Sequence, residues 1–180
     1  MDKEITKEKL LKLFEHLDKT RSEPLVIVAI GGTALSLLGL KEVTEDIDFI
    51  IESRKSYDKV DLTVEIYNQG YKTEIQEKGI IVVLTLPADY VECCSSISKN
   101  ASFKNLRVLI LSPVDIIITK MARFIRKDRI DITKVLLQYK PSLQEIEARF
   151  QKYLDLNKGQ RAELLKKFGE FKKLYTKVFT

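Results

Sequence analysis

The sequence predicts an α+β protein, a mixed sheet flanked by helices with a helical C-terminal tail. A short β-branched run at Leu25–Ile30 has the length of a strand buried on both faces, and Leu106–Leu111 is another strand candidate. Apolar residues recur at helical spacing between these runs. After Leu111 only helical patterns remain.

The elements follow in order. Leu10, Leu13, Phe14 and Leu17 repeat at i, i+3, i+4, i+7, which predicts an amphipathic helix over about 5–19. Arg21-Ser22-Glu23-Pro24 breaks it, and Leu25–Ile30 is the first strand. Gly31-Gly32 follows at once, then a short apolar helix over Thr33–Leu38 that Gly39 caps. Beyond the charged turn Lys41–Glu45 comes a second strand, Asp46–Ile51. Tyr57, Val60, Val64 and Tyr67 keep helical spacing, and Gly70 closes that helix. Tyr71–Gln76 and Ile80–Leu86 read as a hairpin turned at Glu77-Lys78-Gly79 and stopped by Pro87.

Cys93–Lys104 is polar, a loop or short helix, and Leu106–Leu111 is another strand. Ser112-Pro113 starts a helix with proline at its first position. Val114, Ile117, Ile118, Met121, Phe124 and Ile125 make that helix apolar enough to belong in the core. A charged break, Arg126–Arg129, precedes a helix with Ile132, Val135 and Leu136. Ser142 and Glu145 form a capping box for the next helix, and Lys158–Phe179 gives the last.

Composition excludes several classes. With 44% hydrophobic and 32% charged residues, the 180-residue chain reads as an ordinary globular protein of one domain, or of one domain with a smaller appendage. No apolar run approaches the roughly 18 residues of a membrane span. The opening MDKEITKEKL is charged where a signal peptide is apolar, which places the protein in the cytoplasm. The net charge of +5 is spread along the chain and is weak support for a phosphate-bearing partner. Cys93 and Cys94 are adjacent, without the spacing of a zinc site, and read as buried thiols. His16 is the only histidine and lies in a helical stretch, a surface residue rather than part of a catalytic relay.

The informative feature is Asp46 and Asp48, one residue apart in an apolar strand. Strand residues i and i+2 share a face, so both carboxylates point one way while Ile47, Phe49 and Ile51 point the other. Two like charges side by side repel and lose solvation, and a cation must compensate. Mg2+ suits them, because it takes carboxylates, waters and substrate phosphates. Gly31-Gly32 at a strand end lets backbone approach an anion, and Thr33 adds a hydroxyl. The pattern is neither a P-loop nor a dinucleotide fingerprint.

A strand, Gly-Gly, a short helix and then D-h-D (h apolar) on the next strand resemble the nucleotidyltransferase superfamily that includes DNA polymerase beta. The chain is similar to its small prokaryotic members, some of them toxin-like enzymes of toxin–antitoxin systems. Ser112-Pro-Val-Asp-Ile-Ile-Ile-Thr-Lys120 and Arg126-Lys-Asp128-Arg-Ile-Asp131 resemble the family's later segment. The resemblance implies a nucleotidyltransferase-like domain over 1–140 and a helical extension over 141–180. It implies metal-dependent transfer of a nucleoside monophosphate from an NTP such as ATP to an acceptor, an RNA, a protein or a small molecule. Asp46 and Asp48 would bind Mg2+ or Mn2+, Gly31, Gly32 and Thr33 would hold the triphosphate, and Lys120 would neutralise phosphate charge. An antitoxin or a second copy of the chain is the implied protein partner.

One departure stands out. The family's third carboxylate lies on a later strand, but Gly79–Leu86 contains no acid. Asp89 and Glu92, past Pro87, are the nearest substitutes, with Asp89 taken as the catalytic one; Asp61 and Glu65 lie on the preceding helix. Without a third carboxylate the chain would be a degenerate module that binds nucleotide without turning it over.

Overall fold

A computed structural model of the chain describes residues 4–52, 56–81, 84–97 and 103–180. They divide into two compact units, Met1–Ile80 with Val91–Leu111 and Ile81–Tyr90 with Ser112–Thr180. The helices after Leu111 fall together in the second unit.

The first unit begins with Ile5–Thr6 (β1) and the helix Lys7–Thr20 (α1), whose buried face is the expected Leu10, Leu13, Phe14 and Leu17. Leu25–Ala29 (β2) leads into Gly31–Leu37 (α2), so the two glycines open the helix instead of preceding it. Val43–Thr44 (β3) pairs with β1. Ile47–Ile51 (β4), Ser56–Asn68 (α3) and Thr73–Gln76 (β5) form a strand–helix–strand unit in which β4 and β5 are parallel.

Ile80–Ile81 (β6) pairs with Leu84–Thr85 (β7), and among the described residues neither pairs with β5 as the expected hairpin requires. Ile47, Phe49, Ile50 and Ile51 are all buried, so β4 sits inside a sheet and needs a neighbour on each edge. Antiparallel β2 takes one edge and β5 the other. Ser95–Ser96 (β8) and Leu106–Ile110 (β9) complete a five-stranded mixed sheet of order β5-β4-β2-β9-β8. Residues 82–83 of the expected Ile80–Leu86 strand, and 98–102 of the Cys93–Lys104 stretch, lie outside the described residues.

Two local expectations are corrected. In α3 the stripe that announces the helix is exposed: Val60, Val64 and Tyr67 face solvent, while Leu62 and Ile66 are buried. Both faces of α3 carry apolar residues, and the pair two positions out of phase with the stripe wins the core. Cys93 is exposed and Cys94 half-buried, without a disulfide. Asp18 on α1 fixes the entry to β9, accepting the backbone N–H groups of Lys104, Asn105 and Leu106 at 3.1, 2.6 and 2.8 Å. Burial alone would raise its pKa, but those three donors hold it below the usual carboxylate range.

The second unit is helical. It contains Pro113–Arg123 (α4), Arg126–Tyr139 (α5), Leu143–Leu156 (α6) and Arg161–Phe179 (α7), the last preceded by a 3-10 turn over Lys158–Gln160. Ser112 caps α4, accepting the Asp115 N–H at 3.1 Å, and the Ser142–Glu145 capping box forms as expected. Phe124, in the left-handed region at φ 54°, ends α4. Phe150 stacks on Phe168 at 4.3 Å, which in turn lies 5.7 Å from Phe171, joining α6 to α7. Among the described residues no helix is long and apolar enough to cross a membrane.

Candidate active site

The register of β2 against β4 determines what faces the glycines. Ala29 lies opposite Phe49, and one step further the Ile30 N–H donates to the Asp48 carbonyl at 3.1 Å. The chain then turns through Gly31 at φ +56°, a conformation that disfavours any side chain. A Cβ on Gly31 would stand 2.5 Å from Asp48 Oδ2. The first glycine is therefore required twice, by its backbone angle and by the carboxylate packed against it.

Gly32 lacks that constraint of angle, because its φ is not positive. A Cβ there would collide with Thr44 Oγ1 and come within 3.5 Å of the Lys41 ammonium. Thr44 is buried at 1% exposure, held by the pairing of β3 with β1. Lys41 is half-buried. Neither residue figures in the sequence reading, where Lys41–Glu45 is only a charged turn; the signal was the lysine's closeness to the acids in sequence.

Asp46 is exposed and sits just before β4, whose regular structure starts at Ile47. Asp48 is half-buried. Thr33 fixes the backbone on which both stand. It is fully buried, accepts the Asp48 N–H at 2.9 Å and donates to the Asp46 carbonyl at 3.4 Å. This hydroxyl, expected at a phosphate, here meets main chain. Its oxygen already bonds main chain on both flanks of Ile47, out of reach of solvent.

Glu74 is the acid that sequence reasoning missed. It is exposed on β5, in parallel register with Asp48, so the two side chains leave the same face of the sheet. Gln76 donates to its carboxylate at 2.8 Å. The signal was available in principle: a strand–helix–strand unit returns its second strand parallel to the first. Among the described residues no group of three or more His, Cys, Asp or Glu is arranged to hold a metal ion.

The remaining expected site residues belong to the second unit, and both are ion-paired there. Lys120 is 8% exposed, donates to Asp131 at 2.6 Å and lies 3.9 Å from Asp128. Asp128 also accepts both arms of Arg123, at 2.8 and 2.6 Å. Asp89 accepts Arg149 on one oxygen and Lys152 on the other, each at 2.6 Å. Those bonds, Lys152 first and Arg149 second, hold the Asp89 carboxyl below its usual pKa. Arg149 continues to the fully buried Asp115, with Nε at 2.7 Å, and the Tyr153 hydroxyl joins at 2.8 Å.

The model of a family described as "Nucleotidyltransferase of unknown function (DUF6036)" matches residues 8–176, nearly the whole chain. No curated protein matches it at a significant level.

Proposed function

Since the chain belongs to a family of nucleotidyltransferases of unknown function, we propose that it moves a nucleoside monophosphate from an NTP to an acceptor, with Asp46 and Asp48 holding Mg2+. The observation that carries this reading is the seating of the Asp48 carboxylate against Gly31, where a Cβ would come within 2.5 Å of its oxygen. A glycine turn lets backbone approach a phosphate chain, and carboxylates beside it supply oxygens for the cation that accompanies such a chain.

The donor set fits Mg2+, and Mn2+ by the same chemistry. Such ions are commonly held by one or two carboxylates, with waters and substrate phosphates completing the shell. A divalent cation there would offset charge on the phosphates during in-line displacement. The chain's own residues do the rest. Thr33 holds the main chain of both aspartates, and the glycine turn would bring backbone to the triphosphate. Glu74 leaves the same face of the sheet as Asp48 and adds negative charge beside it. The acceptor's nucleophile bonds to the α-phosphorus while pyrophosphate leaves. The acceptor is an RNA, a protein or a small molecule.

The test is transfer of α-phosphate label from each NTP to RNA and to protein, with pyrophosphate release followed in parallel. Wild type should transfer, and Asp46→Asn and Asp48→Asn should lose at least about 100-fold. An Asp48→Asn variant with full transfer would overturn the reading. Nucleotide binding without turnover on any acceptor would favour the degenerate module instead.

A further inference from the structure

Resting on that reading of the glycine turn, we propose that Lys41 is the residue that receives the polyphosphate there. The argument starts from Gly32. Its backbone angle would accept a side chain, yet a Cβ would fall on the Thr44 hydroxyl and within 3.5 Å of the Lys41 ammonium. The wall behind this glycine is therefore a cation and a hydroxyl rather than apolar packing. The half-buried ammonium suits a phosphate oxygen, since lysine serves such anions as a compact point charge, while buried Thr44 backs the turn.

The neighbouring residues point the same way. Lys41 is half-buried, so its stem is partly held while its head lies at the turn. Thr44 is fixed by strand pairing to Ile5 and cannot drift from Gly32. Asp46 follows two residues after Thr44, so one short segment carries a cation, a hydroxyl and the first metal-binding acid. Lys120, the cation implied by resemblance, donates to Asp131 at 2.6 Å inside the second unit. Lys41 has its ammonium beside Gly32, in the same unit as Asp46 and Asp48.

The test compares affinities for an NTP and for the corresponding nucleoside, by calorimetry in the presence of Mg2+, in wild type, Lys41→Met and Lys41→Arg. Methionine keeps the stem and removes the charge. Lys41→Met should weaken the NTP about 10- to 100-fold, leave nucleoside binding unchanged and leave the melting temperature without ligand near wild type. Lys41→Arg should recover most of the loss. Should Lys41→Met fail to fold, Lys41→Gln carries the same comparison. A neutral variant that binds NTP within twofold of wild type overturns this inference alone, as does an equal loss for nucleoside and NTP. A wild type that binds no nucleotide overturns the reading of the site itself.

Discussion

In the helical unit Asp115, Asp128 and Asp131 are 0%, 0% and 4% exposed and each is bonded to a cationic side chain, while in the sheet unit Asp46 is exposed and Asp48 lies half-buried against a glycine. Burying a carboxylate is tolerable only with a partner at hydrogen-bonding distance, so the helical acids are tied into the packing. The sheet acids are arranged differently. Thr33 bonds the main chain of both, and the Asp48 carboxylate packs against Gly31. One set of aspartates serves the fold, and the other is positioned by it.

The largest expected effect breaks the helical set. Arg149→Met removes the cation from fully buried Asp115 and from Asp89, and should cost about 3–5 kcal/mol in chemical denaturation. A loss below about 1 kcal/mol would mean that Asp115 is satisfied by Ser112 and Tyr153 without it. Next comes Gly31→Ala in the sheet set. The left-handed φ of +56° alone should cost about 1–2 kcal/mol, and the new Cβ must displace the Asp48 carboxylate. Denaturation should report the first effect, and a lost Mg-NTP response the second. A fully stable, nucleotide-binding Gly31→Ala would sever the link between the glycine and the acid.

The smallest expected effect is a pH dependence. Asp89 has a folded pKa below its unfolded value of about 3.9, so its contribution is present above that value and fades as pH falls through the folded pKa. Melting temperatures between about pH 2 and 6 should therefore fall less steeply on the acid side for Asp89→Asn than for wild type. Parallel curves would show that Arg149 and Lys152 do not favour the ionised form.

This contrast explains what could be read from the sequence. Strand Ile47–Ile51, the glycine pair and the helix starts at Ser112 and Ser142 are local signals, decided by residues within a few positions. Placing β5 beside β4 depended on a neighbour across a helix, and so Glu74 went unseen. Sequence does not reveal that the Thr33 oxygen meets main chain 13 and 15 residues later. Nor does it reveal that Lys120 is bonded to Asp131 on the following helix. The exposed stripe Val60, Val64 and Tyr67 shows that periodicity announces a helix before it says which face is buried.

The measurement that tests the account most directly is the melting temperature of wild type, Asp48→Asn and Asp131→Asn, each with and without Mg-NTP. Asp48→Asn should melt near wild type and show no Mg-NTP shift, while wild type gains about 2.7 kcal/mol at 100 times the Kd. Asp131→Asn should melt well below wild type, because buried Lys120 loses its charged partner at 2.6 Å. An Asp48→Asn variant that keeps the full Mg-NTP shift would contradict the central claim that the aspartates beside the glycine turn bind the nucleotide's metal.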